Sequence, residues 1–212
     1  MRDFDQSEKR FEQDIESYLI SDRGGYEQFS YVNPDGHRIQ KYVYDKERAV
    51  YMEVLTNFIS KSQPKAWARY VKYYGSDAES KLYRRLQDSI NEHGLIYVLK
   101  NGIEDMGIKL KLCYFKPESE LNEELNEKYR LNVLGVTRQF SYTSKNHNTI
   151  DMVLSLNGIP IVALELKNQF MGQYVQNAIR QFKNDLFSIN FFTRNGLISF
   201  FPSTEIKTSI EP

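Results

Sequence analysis

The 212 residues suffice for one mid-sized domain with its own core, and 41% apolar and 14% aromatic residues exclude a disordered chain. Lysine plus arginine equals aspartate plus glutamate at 28 each, so overall charge gives no argument for nucleic-acid binding, and any basic surface must be local. The single cysteine, Cys113, excludes an internal disulfide framework, and the sequence has neither an apolar signal segment nor a membrane span. We therefore expect a cytoplasmic protein.

The first half of the chain has a mainly helical pattern. The stretch "YVNPDGHRIQKYVY" places a Pro-Asp-Gly turn between β-prone arms and predicts a short hairpin or loop. Residues 46–90 have helical periodicity, with Pro64 suited to a helix start and Gly75 and Gly94 suited to helix ends. An earlier apolar stripe predicts a first helix; its members are Phe11, Ile15, Tyr18 and Leu19.

The second half alternates between strand and helix patterns. "GIKLKLCYF" and "NVLGVTRQFSYTS" predict strands, and "PESELNEELNEKYRLN" between them predicts a helix too charged to be more than half buried. The stretch "NTIDMVLSLNGIPIVALELKNQ", residues 148–169, predicts two apolar strands joined at Asn-Gly. "GQYVQNAIRQFKNDLFSI" then predicts a closing helix with its apolar side chains inward.

The two strands of residues 148–169 carry three charged residues that a core would not need, Asp151, Glu165 and Lys167. Alternation puts Glu165 and Lys167 on the face opposite Leu164, so we expect one core face and one face that exposes an acid and a lysine. Asp151 lies between two apolar residues and should point away from the apolar side of its own strand.

The turn decides whether these charges meet. A two-residue Asn-Gly turn would pair Asp151 with Leu164, whereas a three-residue loop with a left-handed Gly158 bulge would pair it with Ala163. Directly opposed residues share a face, so only the longer loop brings Asp151 together with Glu165 and its lysine. We predict the longer loop, a type I turn plus bulge.

Two neighbouring carboxylates repel, and a hard divalent cation relieves that repulsion. Asp151 and Glu165 are therefore candidate ligands, and the backbone carbonyl of Leu166 could add a third oxygen. Lys167 is placed to orient a water or to stabilise charge on a phosphate, which is a set of groups suited to metal-assisted phosphodiester hydrolysis. The acid-x-Lys tripeptide alone is a weak signal, since it also occurs at residues 79–81 and 205–207.

The wider stretch "LNEELNEKYRLNVLGVTRQFSYTSKNHNTIDMVLSLNGIPIVALELKNQFMGQYVQNAIRQFK" resembles the amino-terminal part of the R subunit of type I restriction enzymes. The resemblance is close over residues 107–183, looser in "FEQDIESYL", and fades after Lys183. It implies a restriction-endonuclease-like nuclease of the PD-(D/E)xK superfamily. The fold class expected is α/β, a central mixed β-sheet flanked by helices, in one nuclease domain over residues 1–212, where residues 46–94 could be a helical insertion.

The resemblance also assigns site residues. It makes Asp151, Glu165 and Lys167 the metal-binding acids and catalytic lysine, and Gln181 an accessory catalytic residue. Some relatives have tyrosine four positions after that glutamine, where this chain has aspartate. Glu12 matches a first-helix acid often near such sites and is a further metal candidate, although a solvated helix face would also explain it.

Cofactors and partners follow from the same resemblance. Mg²⁺ is the expected metal, with Mn²⁺ as a substitute, and double-stranded DNA the expected substrate. The family's ATP-driven motor is absent, because no G-x-x-x-x-G-K-[ST] phosphate loop occurs in the sequence, so ATP would act only through missing motor domains. The modification and specificity subunits of the restriction complex are the expected protein partners, with no membrane partner.

Basic residues near the site in sequence could line a DNA groove, although ordinary surface charge explains each of them equally well. They are Arg138, Lys145, Arg180 and Lys183, besides Lys167. The sequence thus predicts the Mg²⁺-dependent endonuclease module of a type I R subunit, which cuts DNA without reading sequence. Two alternatives stay open: a catalytically silent nuclease fold that docks motor or partner subunits, and a transposon-type or repair nuclease of the same superfamily.

Overall fold

A five-stranded mixed sheet organises the fold in this computed structural model, which describes residues 2–32, 35, 37–141 and 149–164. The strand order is β2-β1-β5-β6-β7, with β1 parallel to β5 and every other neighbouring pair antiparallel. A separate two-stranded sheet pairs β3 with β4. The elements are α1 (Arg2–Leu19), β1 (Glu27–Val32), β2 (Arg38–Gln40), α2 (Met52–Ser62), α3 (Pro64–Tyr74), α4 (Ala78–His93), α5 (Leu95–Asn101), β3 (Ile103–Asp105), β4 (Ile108–Leu110), α6 (Glu123–Arg130), β5 (Leu134–Ser141), β6 (Thr149–Leu156) and β7 (Ile159–Leu164).

This arrangement confirms the predicted α/β class with a mixed sheet and flanking helices. Pro64 opens α3, and Gly75 and Gly94 follow the ends of α3 and α4 as expected. Helix α6 buries none of its side chains, in line with its charged sequence. The predicted closing helix after residue 171 lies outside the described residues.

Three local predictions differ from the structure. Tyr18 is 62% exposed and does not belong to the buried stripe of α1. The predicted strand in "GIKLKLCYF" is only the three residues of β4, because the chain then leaves the small sheet. Helix α5 was not expected, since only seven residues separate its two flanking glycines. None of the helices among the described residues is long and apolar enough to span a membrane.

Apolar clusters cover both faces of the central sheet. The larger cluster contains residues of α2, α4 and the sheet, such as Leu55, Leu86 and Val153. The α1-side cluster, on the opposite face, consists of Val136, Met152 and Leu164 with partly buried residues of α1 against it. Cys113 is buried as predicted, and burial raises the pKa of its thiol to about 11.

The expectation of one exposed sheet face is therefore wrong over the described part of β7. The alternation itself is correct, because Leu164 belongs to the α1-side cluster and Ala163 to the larger cluster. Ala163, however, is 1% exposed, so the face that it shares is covered at that point.

The β6–β7 connection is a two-residue turn, and the predicted three-residue loop is wrong. Leu156 pairs with Ile159, and both turn residues have positive φ, 51° at Asn157 and 82° at Gly158. That combination is the type I′ geometry favoured by Asn-Gly. A Cβ on Gly158 would lie 2.3 Å from the carbonyl oxygen of Tyr51, so the close approach of that segment requires glycine.

An extra residue occurs inside β7, where it was not predicted, and it shifts the register in the opposite direction to the predicted loop. Ser155 pairs with Pro160 and Leu154 with Val162, which leaves Ile161 as the additional residue of a bulge. Proline has no N–H to donate to the ladder, which favours an irregularity at this point. Beyond the bulge the register agrees with Met152 opposite Leu164.

Candidate active site

Asp151 lies in β6 where that strand and its neighbour β5 are both distorted. Residues i and i+2 of a regular strand share a face, yet Ile150 belongs to the larger cluster and Met152 to the α1-side cluster. The paired strand behaves in the same way, because Phe140 packs in the larger cluster while Arg138 contacts α1. The two strands therefore exchange faces together at the level of Asp151, whose side chain is half-buried.

Gln139 accommodates this distortion in β5. It lies between the pairs Arg138–Met152 and Phe140–Ile150 and has a φ of 48°. A left-handed conformation costs a non-glycine residue about 1–2 kcal/mol, and such residues cluster at functional sites.

The side chain of Gln139 is held at both ends. Its Nε2 donates to Glu12 Oε1 at 3.1 Å, and its Oε1 accepts from Thr149 Oγ1 at 2.9 Å. The strained residue thus connects α1 with the start of β6, two residues before Asp151.

A buried charge cluster joins α1 to the same place in β5. Glu12 and Glu16 are four residues apart, so they lie on one face of the helix, and they are 5% and 7% exposed. Arg138 donates to Glu12 Oε2 from Nη2 at 2.9 Å and from Nε at 3.1 Å, and to Glu16 Oε2 from Nη1 at 3.4 Å.

One guanidinium thus faces two carboxylates. Glu16 Oε1 is buried and has no hydrogen-bond partner among the described residues. The second carboxylate gives the cluster an excess of negative charge beside the candidate site.

These contacts bear on two predicted roles. Both oxygens of Glu12 accept hydrogen bonds from β5, so a metal ion would have to share that carboxylate with Arg138 and Gln139. The Arg138 guanidinium is directed at α1, so a DNA contact through it would require it to leave two acids. Metal binding by Glu12 and DNA binding by Arg138 remain predictions.

The other predicted site residues lie outside the described part of the chain. They are Glu165, Leu166, Lys167 and Gln181, with the DNA-contact candidates Lys145, Arg180 and Lys183. Within residues 2–32, 35, 37–141 and 149–164, no group of three or more His, Cys, Asp or Glu residues is arranged to hold a metal ion. The roles of the seven site residues outside the described part of the chain remain predictions.

Gln139, Glu16 and Arg38 did not stand out in the sequence. Arg38 donates through Nη1 to the carbonyl of Arg138 at 3.0 Å, a contact across 100 residues that no local pattern encodes. Glu16 had one signal, its spacing of four from Glu12 on an amphipathic helix, but the same spacing is typical of a solvated face.

The sequence matches the family described as type I restriction enzyme R protein N terminus over residues 5–203. The chain belongs to this family. The match is wider than the resemblance over residues 107–183, since it includes the first half of the chain and continues past Lys183, where the sequence had suggested that it fades. Neither a curated protein nor a solved structure matches the chain.

Proposed function

We propose that this R-protein N-terminal chain is a Mg²⁺-dependent endonuclease module that hydrolyses DNA phosphodiester bonds without reading sequence. The observation that carries the proposal is the position of Asp151 beside a strand that leads directly into Glu165-Leu166-Lys167. Family membership supports the restriction context.

The register of the hairpin supports the approach of the two acids. Met152, one residue after Asp151, pairs with Leu164, one residue before Glu165. Each acid is therefore the chain neighbour of one member of this pair, and neighbouring Cα atoms are about 3.8 Å apart. The bulge at Ile161 shifts the register by one residue in the opposite direction to the predicted loop, which had placed Asp151 opposite Ala163; Ala163 pairs with Val153 instead.

The proposed donor set consists of two carboxylates and the Leu166 carbonyl, all oxygen, which is the ligand type that Mg²⁺ prefers. The bound ion would activate water and stabilise phosphate charge. Asp151 and Glu165 would hold it, Lys167 would orient the attacking water, and Gln181 would position the scissile phosphate.

In this scheme Glu12 acts on the site through β5. Its hydrogen bond from Gln139 holds the strained residue that lies between the pairs Arg138–Met152 and Phe140–Ile150. We therefore assign Glu12 a positioning role, with direct metal ligation as the alternative that requires Arg138 to withdraw.

A docking function is a second candidate, and exposed apolar side chains favour it. Leu121 is 93% exposed and Phe115 58%, and both Leu125 and Tyr129 of α6 are more than a third exposed. Leu125 and Tyr129 are four residues apart and so share one face of α6, and exposed apolar patches often mark protein interfaces. The motor or the other restriction subunits would be its partners.

Plasmid cleavage in Mg²⁺ or Mn²⁺ tests the nuclease proposal. We expect Lys167→Ala to reduce the cleavage rate by at least about 100-fold, the range for loss of a group that handles protons at the reacting centre. Asp151→Asn should reduce the rate by a similar factor, because it removes a proposed metal ligand. Lys109→Ala, an exposed lysine of β4, is the matched control and should cut as the wild type does. Equal cleavage by Lys167→Ala and the control would contradict the lysine assignment, and a wild type that neither cuts nor binds metal would favour docking.

A further inference from the structure

A cavity of about 240 Å³ lies beside the candidate site and is not used by the proposed hydrolysis. It is formed by β1 and β2, by the segment that precedes α2, and by the ends of β5 and β6. Thr149 and Gln139 are part of its wall. Thr149 is two residues from Asp151, about 7 Å along the strand at 3.3 Å per residue.

The wall is positively charged. Arg38 and Lys46 contribute two cations, and no acid lines the cavity among the described residues. The remaining polar groups of the wall are mostly hydroxyls and amides, including those of Ser30 and Thr137. Two cations without an acid favour an anionic ligand.

Arg38 is already oriented for such a ligand. Its Nη1 donates to the carbonyl of Arg138 at 3.0 Å and to Ser30 Oγ at 3.4 Å. A guanidinium has five N–H donors in a fixed fork, and the bonds that Arg38 makes to described residues all come from Nη1. The Nε and Nη2 donors are therefore held in a defined direction by a side chain that is anchored at one end.

Tyr44 gives an independent indication of a ligand. Tyr44 is part of the cavity wall, and its hydroxyl is buried without a hydrogen-bond partner in the part of the chain that the structure describes. Burial raises the pKa of Tyr44 far above its ordinary value, so the group stays an O–H donor at neutral pH. A buried donor without an acceptor destabilises the fold, and a bound acceptor would relieve that cost.

We infer that this cavity binds a phosphate group of a DNA strand, held by Arg38, Lys46 and the Tyr44 hydroxyl. The volume is below the roughly 300–1,000 Å³ of sites for drug-sized ligands, so a phosphate fits better than a whole nucleotide. The DNA source rests on the proposed nuclease function, because the cavity is within two residues of Asp151. A phosphate seated there would fix the register of the strand on the proposed catalytic hairpin.

DNA binding in EDTA tests the inference independently of metal and cleavage. We would measure fluorescence anisotropy of a short labelled duplex with the wild type, Lys46→Ala, Tyr44→Phe and Lys41→Ala. Loss of one hydrogen bond to a charged group should raise Kd about tenfold in Lys46→Ala and about three- to tenfold in Tyr44→Phe. In Lys46→Ala, the slope of log K against the logarithm of the salt concentration should also be shallower by about one.

Lys41→Ala is the matched control, since its ammonium pairs with Glu27 and lies outside the cavity wall. Its Kd should stay close to that of the wild type. Tyr44→Phe should be no less stable than the wild type without phosphate, because it removes a hydroxyl that has no partner. This readout separates lost ligand binding from a damaged fold.

Several outcomes would overturn the inference. Equal affinity of Lys46→Ala, Tyr44→Phe and the control would remove the cavity from DNA binding, even if the chain proved to be a nuclease. Inorganic phosphate that binds the cavity while DNA affinity is unaffected by either variant would assign it to free phosphate. Conversely, weaker DNA binding in both variants with no cleavage by the wild type would support phosphate binding in the cavity and contradict the nuclease proposal.

Discussion

The two faces of the central sheet are stabilised by different interactions. On the α1 side, the half-buried guanidinium of Arg138 pairs with two buried carboxylates, those of Glu12 and Glu16. On the other side, rings pack edge to face, as Phe29 does on Tyr51 at 4.8 Å between centroids. A buried charge depends on its partner far more than an apolar ring depends on any one neighbour. Loss of one group should therefore lower the free energy of unfolding more on the α1 side than on the other side.

The largest effect should come from Arg138→Met. This change leaves Glu12 and Glu16 buried without a counter-charge, and breaking a buried pair costs about 3–5 kcal/mol of unfolding free energy. We expect a loss of about 3 kcal/mol, because the Arg138 side chain is 22% exposed and water can reach the gap. Urea unfolding followed by circular dichroism measures it.

Glu12→Gln in the Arg138→Met background is the control. It should restore part of the lost stability, because it removes one of the uncompensated charges. A double variant no more stable than the single one would show that charge is not the cause.

A smaller effect is expected from Tyr51→Phe on the opposite face. Tyr51 and Thr137 share a buried hydrogen bond of 2.9 Å, and burial raises the pKa of Tyr51 to about 12, so the O–H persists at neutral pH. The variant leaves the Thr137 hydroxyl unpaired and should cost about 1–2 kcal/mol.

Replacing both partners, in Tyr51→Phe/Thr137→Val, should cost less than the sum of the two single changes, because no buried polar group is left unpaired. Strictly additive free energies of unfolding would mean that the hydrogen bond contributes nothing to the pair.

The smallest effect is expected at an exposed pair, Lys41 with Glu27. Burial raises the pKa of the Glu27 carboxyl, but hydrogen bonds from Lys41 and Tyr42 outweigh burial and hold the pKa below its ordinary 4.5. Such a carboxylate stabilises the fold above its unfolded pKa, and this stabilisation is lost as pH falls through the folded value. Lys41→Met should cost no more than about 1 kcal/mol at pH 7.

The difference between wild type and Lys41→Met should shrink as the pH falls below 4.5. Urea unfolding of both proteins at a series of pH values measures this difference. A difference that grew towards acid pH would have the wrong sign for a carboxylate with a lowered pKa.

Much of the fold was predictable because its signals are local. The hairpin strands follow from alternation, the turn site from Asn-Gly, the start of α3 from proline, and the ends of α3 and α4 from glycine. The turn type was mispredicted because we placed the extra residue at Gly158. Pro160, which cannot donate to the ladder, was the better signal for a bulge.

Contacts between distant segments could not be predicted from the sequence. The Arg138–Glu12 pair joins residues 126 apart, and it forms because α1 packs on the sheet face that Arg138 shares with Val136. The left-handed Gln139 also has no sequence signal, since glycine or asparagine is the usual residue there. The sequence thus indicated Asp151, whose role stays a prediction, but not the groups that hold its strand.

The most direct test of the proposed metal centre is a Mn²⁺ titration of the whole chain by calorimetry, with Asp151→Ala and the exposed Asp88→Ala as a matched pair. We expect saturable binding in the wild type and in Asp88→Ala, and its loss in Asp151→Ala. Equal Mn²⁺ affinity in all three proteins would contradict a metal site at the β6–β7 hairpin.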